Sequence, residues 1–235
     1  MGNKLIQNLK KLQNTEKAAI QQKFFKTGKG QYAEGDLFLG VVVPEVRKIA
    51  KKNLSLQLEQ IHELLVNKYH EVRLLGLLIL TYQYEIMTKN RDEEGQKKIV
   101  NFYLSNTKFI NNWDLVDASC YKILGEYCYQ NKLDDILSNL SYSSSIWERR
   151  ISVVSCFAYI HKNELNFFYS IIPRFLNDNH DLIHKACGWM LREAGKKNKL
   201  QLKNFLKNNF KVMPKIMLRY SLEKFSEKEK FDILK

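Results

Sequence analysis

Residues 71–82 read Glu-Val-Arg-Leu-Leu-Gly-Leu-Leu-Ile-Leu-Thr-Tyr. The apolar side chains Val72, Leu75, Leu78, Ile79 and Tyr82 recur three and four residues apart. That is the spacing of one helix face, not the alternation of a strand. The unbroken apolar run from Leu74 to Leu80 is far shorter than the roughly 20 residues a bilayer-spanning helix needs. The same spacing returns at Ile151, Val154, Phe157 and Ala158. The three prolines, Pro44, Pro173 and Pro214, suit helix starts or bends and leave long helices uninterrupted. Working outward, the pattern predicts helices over 3–13, 15–27, 44–53, 56–67, 70–89, 92–106, 113–130, 133–141, 146–161, 164–177, 180–197, 199–210 and 213–225. Leu37 to Val43 alone looks strand-like. It is short and has no evident partner, so it reads as an extended connection ending at Pro44.

The expected helices pair. Overlaying the second helix of each pair brings Arg73, Asp117, Arg150, Lys185 and Arg219 to one position, at spacings of 44, 33, 35 and 34 residues. A period in this range marks a helical-repeat solenoid, in which same-phase residues form a ladder on the concave side. The fold class expected is all-α, an α–α superhelix forming a single domain over 1–235. The ladder holds four cations and one acid, Asp117. Two readings fit it. A basic row suits a polyanion, with a lone carboxylate left for chemistry on something cationic. Alternatively, Arg and Asp at equivalent inner positions pair between neighbouring repeats and fix their stacking, since structural ion-pair networks are common.

The totals narrow the classes. Of 235 residues, 45% are apolar and 27% charged, a balance that fits a folded protein and excludes a disordered one. Lys and Arg number 38 against 25 Asp and Glu, a net charge of +13. Such a surplus attracts nucleic acid, anionic membrane or acidic proteins; a solubility bias in a Lys- and Asn-rich proteome would also produce it. Cys120, Cys128, Cys156 and Cys187 form no CxxC pair and read as buried, reduced thiols of a cytosolic protein. The N-terminus lacks the apolar core of a signal peptide, and Met1-Gly2 is followed by Ile6 where a myristoylation signal wants Ser or Thr. An intracellular, membrane-free monomer is expected.

Three segments carry candidate chemistry. In Asn111-Asn112-Trp113-Asp114-Leu115-Val116-Asp117, Asn112 suits an N-cap and Asp114 the positive end of a helix dipole. Trp113 and Asp117, four apart, share a face. Trp147-Glu148-Arg149-Arg150 opens the next ladder helix. His184-Lys185-Ala186-Cys187-Gly188-Trp189 lies within a third. Gly188, disfavoured inside a helix by about 1 kcal/mol, marks close approach by a ligand or a neighbouring helix. A tryptophan at helical spacing is usually core, and Trp147 is read so; Trp113 and Trp189 bracket the ladder beside the lone acid. His180 and His184 stand four apart without a third ligand or a HExxH glutamate, so no metal site is expected. Thr27-Gly28-Lys29-Gly30 lacks the spacing of a phosphate loop and reads equally as a DNA-touching loop or a flexible connection. The Lys-rich segments 196–211 and 226–235 read as solvated helix faces.

Together, Phe24 to Lys51 (FFKTGKGQYAEGDLFLGVVVPEVRKIAK), NNWDLVD, WERR and HDLIHKACGWMLREAGK resemble the DNA alkylation repair family of AlkD-type alkylpurine DNA glycosylases. The likeness spans nearly the whole chain, with the WDxxD, RR and GWxLRE elements in order. It implies a right-handed solenoid of HEAT-like repeats with a concave DNA-binding face. It implies Asp117 as the catalytic carboxylate, Trp113 and Trp189 as aromatic walls about the lesion, and Arg150 on the DNA backbone beside it. Arg73, Lys185, Arg219, Phe24 and Lys29 are the further candidates for backbone contact. One departure is Phe24-Phe25 where the characterised type carries a Tyr; another is the longer loop from Thr27 to Asp36.

The activity implied is hydrolysis of the N-glycosidic bond of cationic N3- or N7-alkylated purines in double-stranded DNA. The carboxylate would stabilise the oxocarbenium-like transition state and position water, without cofactor, metal or base-flipping pocket. Carboxylates act so in sugar hydrolases, and indole faces attract cations by about 0.5–2 kcal/mol. A bacterial-type cytoplasmic protein, at the nucleoid when on DNA, is implied as well. The rival readings are a non-catalytic HEAT-repeat protein that binds DNA structures and a protein-binding scaffold.

Overall fold

Each segment expected to be helical is helical in a computed structural model, which describes residues 2–235. Met1, where the myristoylation frame weighed above begins, lies outside the described residues. The described residues hold no strand; Leu37 and Tyr69 form one isolated parallel bridge. The chain packs as two compact units that divide between Ile123 and Leu124, and among the described residues no helix is long and apolar enough to cross a membrane.

The first unit contains α1 (Gly2–Lys10), α2 (Thr15–Phe24), α3 (Val43–Lys51), α4 (Leu58–Leu65), α5 (His70–Asn90), α6 (Glu93–Ser105) and α7 (Trp113–Cys120). Its centre is α5, apolar nearly all round, with Val72, Leu75, Leu77, Leu78, Ile79 and Leu80 buried. A helix with that composition is stable only when neighbours cover every face, and α3, α4, α6 and α7 all pack on it. Asn14, Asp92 and Asn112 cap α2, α6 and α7 with their side chains. The helix expected over 15–27 stops at Phe24, because Lys26 turns into the left-handed region at φ 55°. The connection that follows is pinned at Gly40. There φ is 79°, and an added Cβ would lie 2.0 Å from the Asn14 carbonyl oxygen.

The second unit contains α8 (Glu126–Asn131), α9 (Asp134–Leu140), α10 (Ile146–Ser155), α11 (Phe157–His161), α12 (Asn166–Ile171), α13 (Asp181–Lys197), α14 (Lys199–Asn209), α15 (Lys215–Ser221) and α16 (Glu227–Ile233). Here α13 is central, packed against α10, α14 and α15. Gly188 explains its own presence: an added Cβ would sit 2.6 Å from Tyr220 Cβ and 2.7 Å from the Met217 carbonyl oxygen of α15. The close approach is therefore by a neighbouring helix. Three expected helices differ in detail. The 113–130 helix passes through a π-helical turn at Tyr121–Gly125 before α8. The 146–161 helix breaks at Cys156. The 164–177 helix tightens to a 3₁₀ turn at Ile172–Phe175, where Pro173 supplies no N–H to continue an α-helical ladder. All four cysteines are buried thiols outside any disulfide. Burial pushes the Cys128 thiol up to about 12.

Candidate functional site

The acid and its indole both belong to α7. Asn112 caps the helix, its Oδ1 accepting from the Trp113 N–H at 2.8 Å. Trp113 and Asp117, one turn apart, are both half-buried. Trp113 does not enter the core. Its ring stacks on Phe25 at 5.3 Å and 22° and meets Phe24 edge-on at 6.0 Å. Its Nε1 donates to the Tyr32 hydroxyl at 3.2 Å. Phe24 is 63% exposed, so Phe24, Tyr32 and Trp113 form an aromatic shelf beside the helix that carries Asp117. Stacked aromatic pairs of this kind add about 0.5–1.5 kcal/mol beyond their buried area.

Beneath the shelf lies a buried ionic cluster. Arg73 is 4% exposed. Its Nη2 donates to Asp36 Oδ2 at 2.6 Å and its Nη1 to the Asn67 carbonyl at 3.0 Å. At this ladder position the cation thus takes the ion-pairing role, not that of an open phosphate contact. His70 Nε2 donates to Asp114 Oδ2 at 2.8 Å, and its Nδ1 faces Asp36 Oδ2 at 3.6 Å. Phe38 and Phe25 flank the imidazole at 4.6 and 5.1 Å. Burial works to raise the Asp36 pKa, but His70 and Arg73 outweigh it and the carboxyl stays below its ordinary range. For His70, burial disfavours the charge and Arg73 opposes it, yet Asp114 first, then Asp36, lift the imidazole above its ordinary value. Next to it, the buried Glu71 carboxylate accepts the backbone N–H groups of Leu39, Gly40 and Val41 at 2.8–3.2 Å. That carboxylate fixes the extended 37–43 connection onto the start of α5. Lys29, before that connection, is exposed, in a turn where the Gly30 N–H donates to Glu34 Oε2 at 2.7 Å.

The remaining candidates belong to the second unit. Arg150 on α10 is 5% exposed, and its Nη1 donates to the Leu182 carbonyl at 2.5 Å. Its neighbour Arg149 forms a two-pronged pair with Asp178, at 2.6 and 3.3 Å, the geometry in which guanidinium–carboxylate bonding is strongest. Lys185 and Trp189 are half-buried along α13, one turn apart, with Trp189 against Phe157 at 5.7 Å. Trp147 is also half-buried. Arg219 on α15 is exposed, its guanidinium over the Tyr220 ring at 5.6 Å. His180 is the N-cap of α13, its Nδ1 accepting from the Leu182 N–H at 3.1 Å, which is the helix-start role.

Within the first unit, therefore, Phe24, Trp113 and Asp117 gather at one place; within the second, Lys185 and Trp189 share a face of α13. Sequence reasoning passed over Asp36, His70, Glu71 and Tyr32. The signal for His70 and Glu71 was the cluster of charged residues at the start of an otherwise apolar α5, His70-Glu71-Val72-Arg73, where charge so close to a core stripe calls for partners; Asp36 and Tyr32 carry no such local mark.

The packed helices define a helical-repeat protein. More particularly, residues 5–225 match the family described as DNA alkylation repair enzyme, and the chain belongs to that family. Membership supports a role in DNA repair. Among solved structures, the chain is similar to one titled "Predicted DNA alkylation repair enzyme from Enterococcus faecalis", at 18% identity and TM-score 0.71, covering 92% of this chain and 97% of that one. It is similar to AlkD2 from Streptococcus mutans at 18% identity and TM-score 0.58, covering 91% and 99%. It is also similar to smu.31 from Streptococcus mutans UA159 at 18% identity and TM-score 0.53, covering 96% and 99%. These likenesses show a shared fold. No curated protein matches the chain.

Proposed function

We propose that the protein is a monofunctional DNA glycosylase that releases cationic N3- or N7-alkylated purines from double-stranded DNA and leaves an abasic site. The observation that carries this reading is the placement of Trp113 and Asp117 on one face of α7, beside the exposed Phe24 ring, in a chain of the alkylation repair family. Alkylation puts a positive charge on the purine, and the indole face attracts it. As the C1′–N bond breaks, its electron pair neutralises the base and positive charge passes to the sugar as an oxocarbenium ion. Asp117 stabilises that ion and takes a proton from the water whose oxygen bonds C1′. The reading assigns Trp189 to the lesion and Arg150, Lys185, Arg219, Lys29 and Phe24 to the DNA backbone. The net charge of +13 supports attraction to DNA.

The test is free-base release from DNA carrying N3- or N7-methylpurine. Asp117→Asn is expected to lower the rate by about 10²–10³-fold, the usual cost of losing one preorganised electrostatic contact. Full activity in Asp117→Asn would remove the catalytic assignment. Tight DNA binding with no base release by the unaltered protein would favour a non-catalytic DNA-structure-binding role.

A further inference from the structure

We infer that His70 is a positioning residue for the lesion shelf: it donates from Nε2 to Asp114 in the first turn of α7 and turns Nδ1 toward Asp36 of the 26–42 segment, and its charge between the two carboxylates holds Trp113 against Phe25 and Tyr32. The geometry supplies the reasons. Asp114 and Trp113 are consecutive, and Asp114 Oδ2 receives the His70 Nε2 proton at 2.8 Å. The opposite nitrogen, Nδ1, is buried without a hydrogen-bond partner and points at Asp36 Oδ2 from 3.6 Å. In a neutral imidazole that donates from Nε2, Nδ1 presents a lone pair to a carboxylate. In the imidazolium it presents an N–H, and a small shift closes the bond.

The groups that face the ring decide between these states. From the 26–42 segment comes Asp36, from α7 Asp114, and from α5 itself Arg73, while Phe25 and Phe38 cover the ring faces without charge. Two carboxylates and one guanidinium leave one negative charge, which the imidazolium balances. Buried charges persist when so paired, and the elevated His70 pKa agrees. Above that pKa the His70–Asp36 link is lost and the 26–42 segment, which carries Tyr32, loses one of its ties to α7. Arg73 still holds Asp36, so the segment loosens and does not unfold.

For its effect on chemistry this inference rests on the glycosylase reading, but its geometry can be tested without activity. A Trp147→Phe/Trp189→Phe protein keeps Trp113 as its sole indole. Acrylamide quenching of Trp113 fluorescence between about pH 5 and 9 is expected to show one transition, with its midpoint above the ordinary imidazole value of about 6.5. His70→Asn should abolish the transition. Asp36→Asn and, separately, Asp114→Asn should each move the midpoint down, because each removes a charge that favours the imidazolium. A transition that persists in His70→Asn, or a midpoint unmoved in both Asn variants, overturns the inference; the midpoint shifts decide the matter even if His70→Asn does not fold. In the base-release assay with all three tryptophans present, Asp114→Asn should lower kcat on the order of tenfold through misplacement of the shelf. If the unaltered protein releases no base while the fluorescence transition behaves as described, the glycosylase reading fails and the positioning of Trp113 by His70 stands.

Discussion

Gly188 and Arg73 show how a single position can be read twice. Both attracted attention as parts of a ligand-facing pattern, and both are answered by packing. Gly188 lets α15 cross α13 at a separation that leaves no room for a Cβ. Gly188→Ala is therefore expected to destabilise the second unit by about 1–3 kcal/mol, the ordinary cost of overpacking, visible as a lower thermal midpoint. An unchanged melting temperature would mean that α15 shifts freely. Arg73 is buried with Asp36. Removing one partner of a buried pair costs about 3–5 kcal/mol, because the other charge is left behind, so Arg73→Ala should lower stability at neutral pH. The sign with pH follows from Asp36. Its carboxyl is held below the ordinary range, so its contribution is present above the unfolded value of about 4 and fades as pH falls through the folded value. The penalty of Arg73→Ala should shrink in acid, which denaturant titrations at neutral and acid pH would measure. Arg219, exposed over Tyr220, belongs to the opposite class, and its replacement should leave stability within about 0.5 kcal/mol.

At the scale of elements, most helices were legible because they carry a 3.6-residue apolar stripe or, in α5, an apolar surface all round; α2, which buries no residue, is the exception. The details that escaped were those set by backbone chemistry at a single residue. Lys26 ends α2 by turning left-handed, Pro173 withholds an N–H, and the π-helical turn at Tyr121–Gly125 leaves no mark on apolar periodicity. Turns of that kind often lie near functional sites, and this one follows directly on the helix of Asp117. The 37–43 connection was legible as extended but not in its anchoring, since Glu71 and the N–H groups it accepts are about 30 residues apart in sequence. Those bonds make a prediction for the segment. Glu71→Gln replaces a carboxylate that gathers three backbone N–H groups with an amide that has one acceptor oxygen. A buried donor left unsatisfied costs about 1–3 kcal/mol, so limited proteolysis should cut between Lys26 and Val42 sooner in Glu71→Gln than in the unaltered protein. Equal cutting rates would show that the segment is held by its aromatic contacts alone.

Across the whole molecule, the family was legible because several motifs fall in order along the chain, and the match over residues 5–225 agrees. The candidate site was legible only where its residues lie close in sequence. Trp113 and Asp117 share one helix turn, so helical spacing alone put them together. The Asp36–His70–Asp114 cluster joins positions 34 and 44 residues apart, which no local pattern reveals. A net charge of +13 predicts salt-sensitive DNA association, with log K falling about 0.9 per phosphate contact for each decade of salt. Arg150→Ala should weaken binding and reduce that slope by about one contact; an unchanged slope would remove Arg150 from the phosphate set. The central claim is that Asp117 performs the chemistry, and the direct measurement is single-turnover release of N7- or N3-methylpurine by the unaltered protein and by Asp117→Asn at matched DNA occupancy. The account predicts release by the first and a loss of about 10²–10³-fold in the second with DNA binding retained, whereas equal rates for the two would contradict it.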